Sequence, residues 1–303
     1  MSDTGFIGTG TIGAPIAAHL ITDPGALRIF DTNEDAMQAL VDQGAKRASS
    51  VRELAAECST VFLSLPGPVQ IEDVVLGNGG LLAHKGALTT IVDLSTNSIA
   101  LNREISARAQ AVRVHYLDAP VSGGKAGARD GSLAIMVGGD ETAFTRVRPL
   151  LERFGSNIFY LGPAGSGTMA KLINNQLFLA ASVLVQEGFV MGAKAGMDPN
   201  TLSEVLKASS AAALMRIAPM ALSRKFDLGV FALSIAAKDI AIATESADAL
   251  GAEVPLAKAA SAIYERAIAD GYGQEDFYAT LKVFETSADV VTPPLEKAAK
   301  AGR

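Results

Sequence analysis

The sequence predicts an α/β protein in two parts: a doubly wound sheet domain, then a long connecting helix and an all-α domain. Three observations carry this. Short apolar runs alternate with helical patterns up to about residue 162, the arrangement of strands covered by helices on both faces. No convincing strand pattern follows Gly162. From Thr168 to about Ala195 runs a proline-free helical stretch, roughly 28 residues and about 40 Å long. The expected domains are therefore residues 1–162 and 163–303, with the linking helix at about 168–195.

Expected strands are 5–8, 26–31, 60–65, 89–94, 114–119, 133–138 and 158–161, read as a parallel sheet. Helical patterns between them include 12–22, 33–43, 51–57 and 98–111. Pro66 and Pro120 end two of the strands, so loops leave the sheet there. Ligands of open α/β sheets sit beyond the carboxyl ends of strands, which makes both loops places for chemistry. After the long helix, Gly196-Met197-Asp198-Pro199 is a turn, with Asp198 the expected cap of the next helix. The tail from Ser287, with Pro293, Pro294, Lys297, Lys300 and Arg303, is expected to fray.

Composition narrows the function. The 303 residues hold 26 Lys plus Arg against 32 Asp plus Glu, a net charge of −6, which argues against a nucleic-acid binder and offers no attraction to an anionic membrane. Cys58, the single cysteine, cannot form an internal disulfide and reads as an inert, half-buried residue. His19, His84 and His115 are too scattered for a metal site, and none is expected. The start Met1-Ser2-Asp3-Thr4 leads directly into a strand, and the longest strongly apolar run, Leu177–Val185, is shorter than the roughly 20 residues that cross a bilayer. A soluble, cytoplasmic protein is the expectation.

The opening Gly8-Thr9-Gly10-Thr11-Ile12-Gly13 is a G-x-G-x-x-G that follows a strand and opens a helix, the context of a Rossmann-type dinucleotide site. Gly8 permits the tight turn, Gly10 admits a pyrophosphate to the backbone, and Gly13 lets helix and strand pack; Thr11 and Ile12 lie in the same loop. A pyrophosphate at the helix start meets free N–H groups and the helix dipole. The alternative is a glycine-rich turn that only packs tightly. Asp31 ends the second strand about 20 residues on, where a carboxylate bonds a ribose hydroxyl and repels a 2′-phosphate, favouring NAD over NADP. Asp31 would equally serve to cap the helix starting at Asn33.

Two further segments bear chemistry. In Asp118-Ala119-Pro120-Val121-Ser122-Gly123-Gly124, a serine and two glycines at a strand end expose a hydroxyl and successive N–H groups, a cradle for a carboxylate or simply a flexible turn. In Gly165-Ser166-Gly167-Thr168-Met169-Ala170-Lys171-Leu172-Ile173-Asn174-Asn175, Lys171, Asn174 and Asn175 share a helix face at i, i+3 and i+4 among apolar neighbours. A cation near a helix start is disfavoured by the dipole, which should lower its pKa and suit it to proton exchange. The alternative is a solvated lysine with two surface amides.

Together with Lys238-Asp239, these ordered motifs resemble the β-hydroxyacid dehydrogenase family over about residues 5–285. The resemblance implies an NAD(H)-dependent oxidoreductase acting on a small 3-hydroxy acid or its semialdehyde. Lys171 would be the general acid and base, Ser122, Gly123 and Gly124 would hold the substrate carboxylate, and Asn174 and Asn175 would orient the substrate. Leu65, Pro66 and Thr96 match positions beside the cofactor, and Lys238, in Phe231-x6-Lys238-Asp239, would reach the cofactor side. Without the resemblance, Lys238 and Asp239 read as a solvated pair. Ile12 and His19 stand where many members have Met and Asn, and Lys125 and Arg129 follow the Gly-Gly turn, where subfamilies differ. Alternatives are an imine reductase-like or 6-phosphogluconate dehydrogenase-like member, or a cofactor-binding module without turnover. The small residues Ala180, Ala181, Gly188, Gly192 and Ala193, with apolar stretches at 177–185, 211–214 and 217–222, predict a homodimer or homotetramer through the helical domain.

Overall fold

In a computed structural model of the chain, residues 3–295 are described, apart from Leu228 and Val230. The chain divides into two compact units, with the boundary between Leu172 and Ile173.

The first unit alternates strands and helices in the order β1 (Asp3–Ile7), α1 (Gly13–Leu20), β2 (Leu27–Phe30), α2 (Glu34–Val41), β3 (Lys46–Arg47), α3 (Val51–Glu57), β4 (Cys58–Leu63), α4 (Pro68–Leu76), β5 (Thr90–Asp93), α5 (Ile99–Ala111), β6 (His115–Asp118), β7 (Val121–Ser122), α6 (Gly124–Asp130), β8 (Leu133–Gly139), α7 (Glu141–Leu151) and β9 (Gly155–Tyr160). The sheet order is β3-β2-β1-β4-β5-β6-β8-β7, with β9 also on β8. Strand side chains alternate between two cores, as a pleated strand requires. Phe6, Phe62, Val92 and Leu117 face the side covered by α1, α2, α6 and α7. Their neighbours Ile7, Val61, Leu63, Ile91 and Tyr116 face the side covered by α3, α4 and α5. The order reverses at β1, which lies between β2 and β4, so the loop after β1 opens at a topological switch point.

The sheet is not uniformly parallel. The run 133–139 pairs antiparallel to β6 and to the short β7, while β9 returns parallel to β8. An apolar run fixes that a strand is buried but not its direction, and the two-residue strands β3 and β7 are too short to leave a periodic signal. Cys58 is wholly buried in β4 rather than half-buried, against Leu54.

The long helix α8 (Ser166–Lys194) spans 29 residues. By length and composition it passes for a membrane-crossing helix, with mean hydropathy 1.4 over an 18-residue window, so reading only the run 177–185 measured it too narrowly. One face of it lies in the core of the unit, where Gln186 donates to the Tyr278 carbonyl and accepts from the Thr280 hydroxyl. Around it in the second unit lie α9 (Pro199–Lys207), α10 (Ala218–Ala221), α11 (Leu233–Ala249), α12 (Pro255–Ala269) and α13 (Thr280–Ala288), with 3-10 turns at Ala212–Arg216 and Phe277–Ala279. Asp198 caps α9 as expected, accepting the Thr201 N–H.

Two expectations change here. Of the two apolar stretches, 217–222 turns Ala218 and Leu222 into the unit's own core beside Val185 and Phe189, whereas Ala212 and Ala213 of 211–214 are exposed. The described part of the tail is anchored: Thr292 is buried, its N–H donates to the Glu285 carboxylate, and Arg224 bonds its carbonyl. A buried, bonded backbone is held however close it lies to the chain end. Lys297, Lys300 and Arg303 lie outside the described residues.

Candidate active site

The glycine loop has the shape its spacing predicts. Gly8 has φ +92°, and a Cβ there would lie 2.1 Å from the Ser64 carbonyl oxygen, so only glycine makes this turn beside β4. A Cβ on Gly13 would strike the Gly8 carbonyl at 1.9 Å, whereas one on Gly10 would meet nothing within 4 Å. The first and last glycines are packing requirements; the middle one borders open space at the start of α1, which has no side-chain cap. Exposed Thr11 and half-buried Ile12 lead into that helix. An uncapped helix start behind an open glycine fits a dinucleotide pyrophosphate.

Asp31 stands at the end of β2 with one carboxylate oxygen on the Thr9 N–H, 2.6 Å, and the other on the Asn33 N–H, 2.8 Å. The cap of α2 is Asn33, which accepts the Asp35 N–H, so Asp31 braces the glycine loop and is not the helix cap. On β2 and β3, Arg28 pairs with Glu53 and Glu57, and Arg47 pairs with Glu34 and bonds Gln38.

The loops after β4 and β5 are joined. The Leu65 N–H donates to the Ser95 hydroxyl at 2.9 Å, and the Ser95 N–H donates to Asp93 at 3.0 Å. Half-buried Leu65, exposed Pro66 and half-buried Thr96 therefore sit side by side at the carboxyl edge of the sheet. Asp93 is wholly buried, and burial pushes its carboxyl up to about 6 against the pull of its bonds from Ser95 and Tyr116.

After β6, Ser122 is half-buried and Gly123 and Gly124 are exposed. Gly123 adopts φ +134° and Gly124 φ +61°, so both take backbone conformations that favour glycine. Their helix is held from α1: His19 Nε2 lies 3.0 Å from the carbonyls of both Ala128 and Arg129, satisfying the end of α6. That gives His19 a structural role. Arg129 turns to Asp130, and Lys125 is exposed.

Sequence reasoning assigned Asp118 no role, yet it fixes where α8 begins. Buried at the end of β6, its carboxylate accepts the N–H groups of Gly165 and Thr168, each at 2.8 Å, a cap supplied from the sheet. Burial raises its pKa, opposed by those two bonds. Gly167 explains the rest of its motif: a Cβ there would lie 2.1 Å from the Met136 carbonyl, so the helix start meets β8 backbone to backbone. An acid at a strand end followed 47 residues on by Gly-x-Gly-Thr was the available signal.

Lys171 is half-buried and stands one turn after Thr168 on α8. Asn174 and Asn175 occupy the next turn of the same helix, beginning the second unit. There Asn175 is buried and donates to the Asp239 carboxylate at 2.7 Å, while Asn174 donates to Asn175 Oδ1 at 3.0 Å. Asp239, on α11, is 3% exposed and pairs with Lys238 at 2.7 Å, with Lys238 itself 28% exposed. The pair is thus not a solvated one: its acid is a core residue bonded to the asparagine. Among the described residues no group of His, Cys, Asp and Glu has the arrangement of a metal site.

Comparison with known proteins agrees with this geometry. Residues 3–162 match the NAD binding domain of 6-phosphogluconate dehydrogenase, and residues 165–284 match the family described as NAD-binding of NADP-dependent 3-hydroxyisobutyrate dehydrogenase. The chain is 36% identical to the NAD-dependent L-serine dehydrogenase of Pseudomonas aeruginosa, over 94% of this chain and 98% of that one. It is 37% identical to the 3-hydroxyisobutyrate dehydrogenase of the same organism, over 84% and 89%. The solved structure of Mycobacterium tuberculosis 3-hydroxyisobutyrate dehydrogenase with L-serine superposes with a TM-score of 0.83 at 30% identity, covering 93% of this chain and 99% of that one. The chain belongs to the β-hydroxyacid dehydrogenase family of NAD(P)-dependent oxidoreductases.

Proposed function

We propose that the protein interconverts a small 3-hydroxy acid and its semialdehyde, with Lys171 as proton donor and acceptor. The observation that supports this most directly is the start of α8: Asp118 and Gly167 fasten it to the sheet edge, one turn before Lys171 and two before the asparagines. The helix turn from which Lys171 projects is thereby fixed, and a positioned proton-transfer group typically contributes at least 10²-fold in rate.

The nicotinamide, when bound, takes up or returns the hydride. The residues that would hold NAD are Gly8, Gly10, Thr11, Ile12 and Gly13 at the pyrophosphate, Asp31 at the ribose, Leu65, Pro66 and Thr96 along the sheet edge, and Lys238. In oxidation the neutral Lys171 amine takes the proton of the substrate hydroxyl as its carbon becomes the aldehyde; in reduction the ammonium returns that proton to the forming alkoxide. Ser122 and the N–H groups of Gly123 and Gly124 hold the substrate carboxylate, and Asn174 and Asn175 orient the carbon chain. We take residues 1–162 as the dinucleotide-binding domain and 163–303 as the helical one, in a cytoplasmic homodimer or homotetramer.

The two named relatives act, by name, on L-serine and 3-hydroxyisobutyrate, which share a primary hydroxyl two carbons from a carboxylate and differ by an amine or a methyl. The test is NAD reduction by the purified protein with these and with related 3-hydroxy acids. Turnover of at least one, lost when the carboxylate is replaced by an amide, supports the reading. Tight NAD binding with no turnover of any hydroxy acid or semialdehyde would leave a cofactor-binding module.

A further inference from the structure

Beneath the carboxyl ends of β5 and β6 a chain of polar side chains crosses an otherwise apolar core. Tyr116 Oη lies 2.8 Å from Asp93 Oδ2 and 2.7 Å from Asn102 Oδ1. Asn102, on α5, donates its amide to the Thr168 hydroxyl at 2.5 Å and receives that of Asn97 at 2.6 Å. Tyr116, Asn102 and Thr168 are at most 2% exposed, among Ile91, Leu101 and Ile105. One end of the chain is Asp93, which receives the Ser95 N–H, while Ser95 receives the Leu65 N–H. The other end is the first turn of α8.

Such a chain is a costly way to fill a core. Apolar residues of similar volume stabilise a core at least as well, and every polar member must be satisfied or its partner is left buried without a bond. What a satisfied network supplies is one fixed arrangement. This one joins three pieces of backbone: the loop at Leu65, the loop at Ser95 and the helix turn that precedes Lys171.

We propose that Tyr116 and Asn102 are positioning residues for the reaction, holding the Leu65 and Ser95 loops in register with the start of α8. Neither touches the reacting atoms. They act through Ser95 on the loops that carry Leu65 and Thr96, and through Thr168 on the turn that carries Lys171. The effect on turnover rests on the reading of Lys171 given above; the effect on cofactor affinity does not.

The test uses Tyr116→Phe, which keeps the ring and removes only the hydroxyl, and Thr168→Val, which replaces a hydroxyl by a methyl. Thr168→Ser restores the hydroxyl. NADH affinity is read from its fluorescence on binding, kcat and KM from steady-state turnover, and folding from circular dichroism. Tyr116→Phe should weaken NADH at least fivefold and lower kcat at least tenfold. Thr168→Val should lower kcat at least tenfold with substrate KM within threefold, and Thr168→Ser should recover kcat to within threefold of the parent. A loss of folded protein alone would scale the signal and leave KM and affinity unmoved, so the split separates positioning from mere stability. Tyr116→Phe and Thr168→Val proteins that fold with NADH affinity and kcat within twofold of the parent would overturn the proposal. So would a Thr168→Ser protein as slow as Thr168→Val. Should Lys171→Ala turn over normally, the acid–base reading fails, while the NADH affinity of Tyr116→Phe still decides this one.

Discussion

Asn175 gives its side-chain amide to the buried carboxylate of Asp239, 2.7 Å away, and that bond decides which way the amide faces. With Nδ2 committed, Oδ1 is turned to Asn174, so the acid on α11 orients both asparagines of the motif. It also holds Lys238 by its other oxygen. The two duties separate by substitution. Asp239→Asn keeps an acceptor for Asn175 but gives up the charge that holds Lys238; Asp239→Ala gives up both. We expect Asp239→Ala to have a kcat at least tenfold below that of Asp239→Asn. Equal values would assign the loss to Lys238 instead of to the orientation of Asn175.

Lys171→Ala should abolish turnover and leave NADH binding within about threefold of the parent, since the glycine loop and Asp31 belong to other elements. Retention of more than about a tenth of kcat would refute its role, because positioned proton transfer contributes at least 10²-fold.

NAD should be preferred over NADP in kcat/KM. On the proposed reading the Asp31 carboxylate would repel a 2′-phosphate, and Arg28 and Arg47, on β2 and β3, pair with acids of α3 and α2. Asp31→Ser with Asn33→Arg should move the preference towards NADP by removing the repulsion and adding a guanidinium. Equal kcat/KM with both cofactors in the parent would reduce Asp31 to a brace for Thr9.

How far the sequence could be read follows from what each feature depends on. Gly8, Gly10 and Gly13 were legible because their roles are local: a turn, an approach and a packing contact set by backbone geometry alone. The 29-residue α8 was legible from its unbroken helical pattern. Asp118 was not, because its partners Gly165 and Thr168 lie 47 and 50 residues away and nothing in its own neighbourhood points to them. Asn102 and Tyr116 were hidden for the same reason: each reads as an ordinary member of an amphipathic helix or a buried strand until the tertiary fold brings them together. Lys238 and Asp239 looked like any exposed pair, since burial of one of them depends on the packing of α11 against α8 within the helical unit.

Asp93 makes stability depend on pH. Its carboxyl sits at about 6, above the ordinary 3.8, and the titratable groups acting on it are Tyr116 and Asp118, both on β6. A raised carboxylate pKa means the folded state binds the proton more tightly. Its contribution is whole below about pH 4, declines as pH rises, and is gone above about 6, a loss of about 3 kcal/mol at neutral pH. Asp93→Asn is neutral at every pH, and its amide can donate to Tyr116 while its oxygen receives the Ser95 N–H. The Tm of Asp93→Asn minus that of the parent should therefore increase between pH 4 and pH 7. A constant difference would show that Asp93 titrates normally.

Assembly is the last expectation, and α8 supplies the means to test it. Ile173, Leu177, Leu184 and Met191 are 49%, 65%, 58% and 73% exposed, at spacings of 4, 7 and 7 residues, which places them on one stripe of the helix. Half-buried Ala180, Ala181 and Gly188 lie beside it, small enough for a second helix to approach closely. Gly192 does not belong to this surface, since a Cβ there would lie 2.7 Å from Leu202 and so packs within the unit. Gly188 differs: a Cβ there would meet nothing within 4 Å. Gly188→Leu should therefore fold as a single chain, and in the middle of a helix leucine is favoured over glycine by almost 1 kcal/mol. An apolar stripe of this length is covered most economically by its own copy across a two-fold axis. We expect light scattering at micromolar concentration to give at least twice 31.3 kDa for the parent, and Gly188→Leu to fall towards 31.3 kDa with its Tm held or lowered only by the lost association. A parent that scatters at 31.3 kDa would refute the dimer. A Gly188→Leu protein that stays assembled would place the interface away from this stripe.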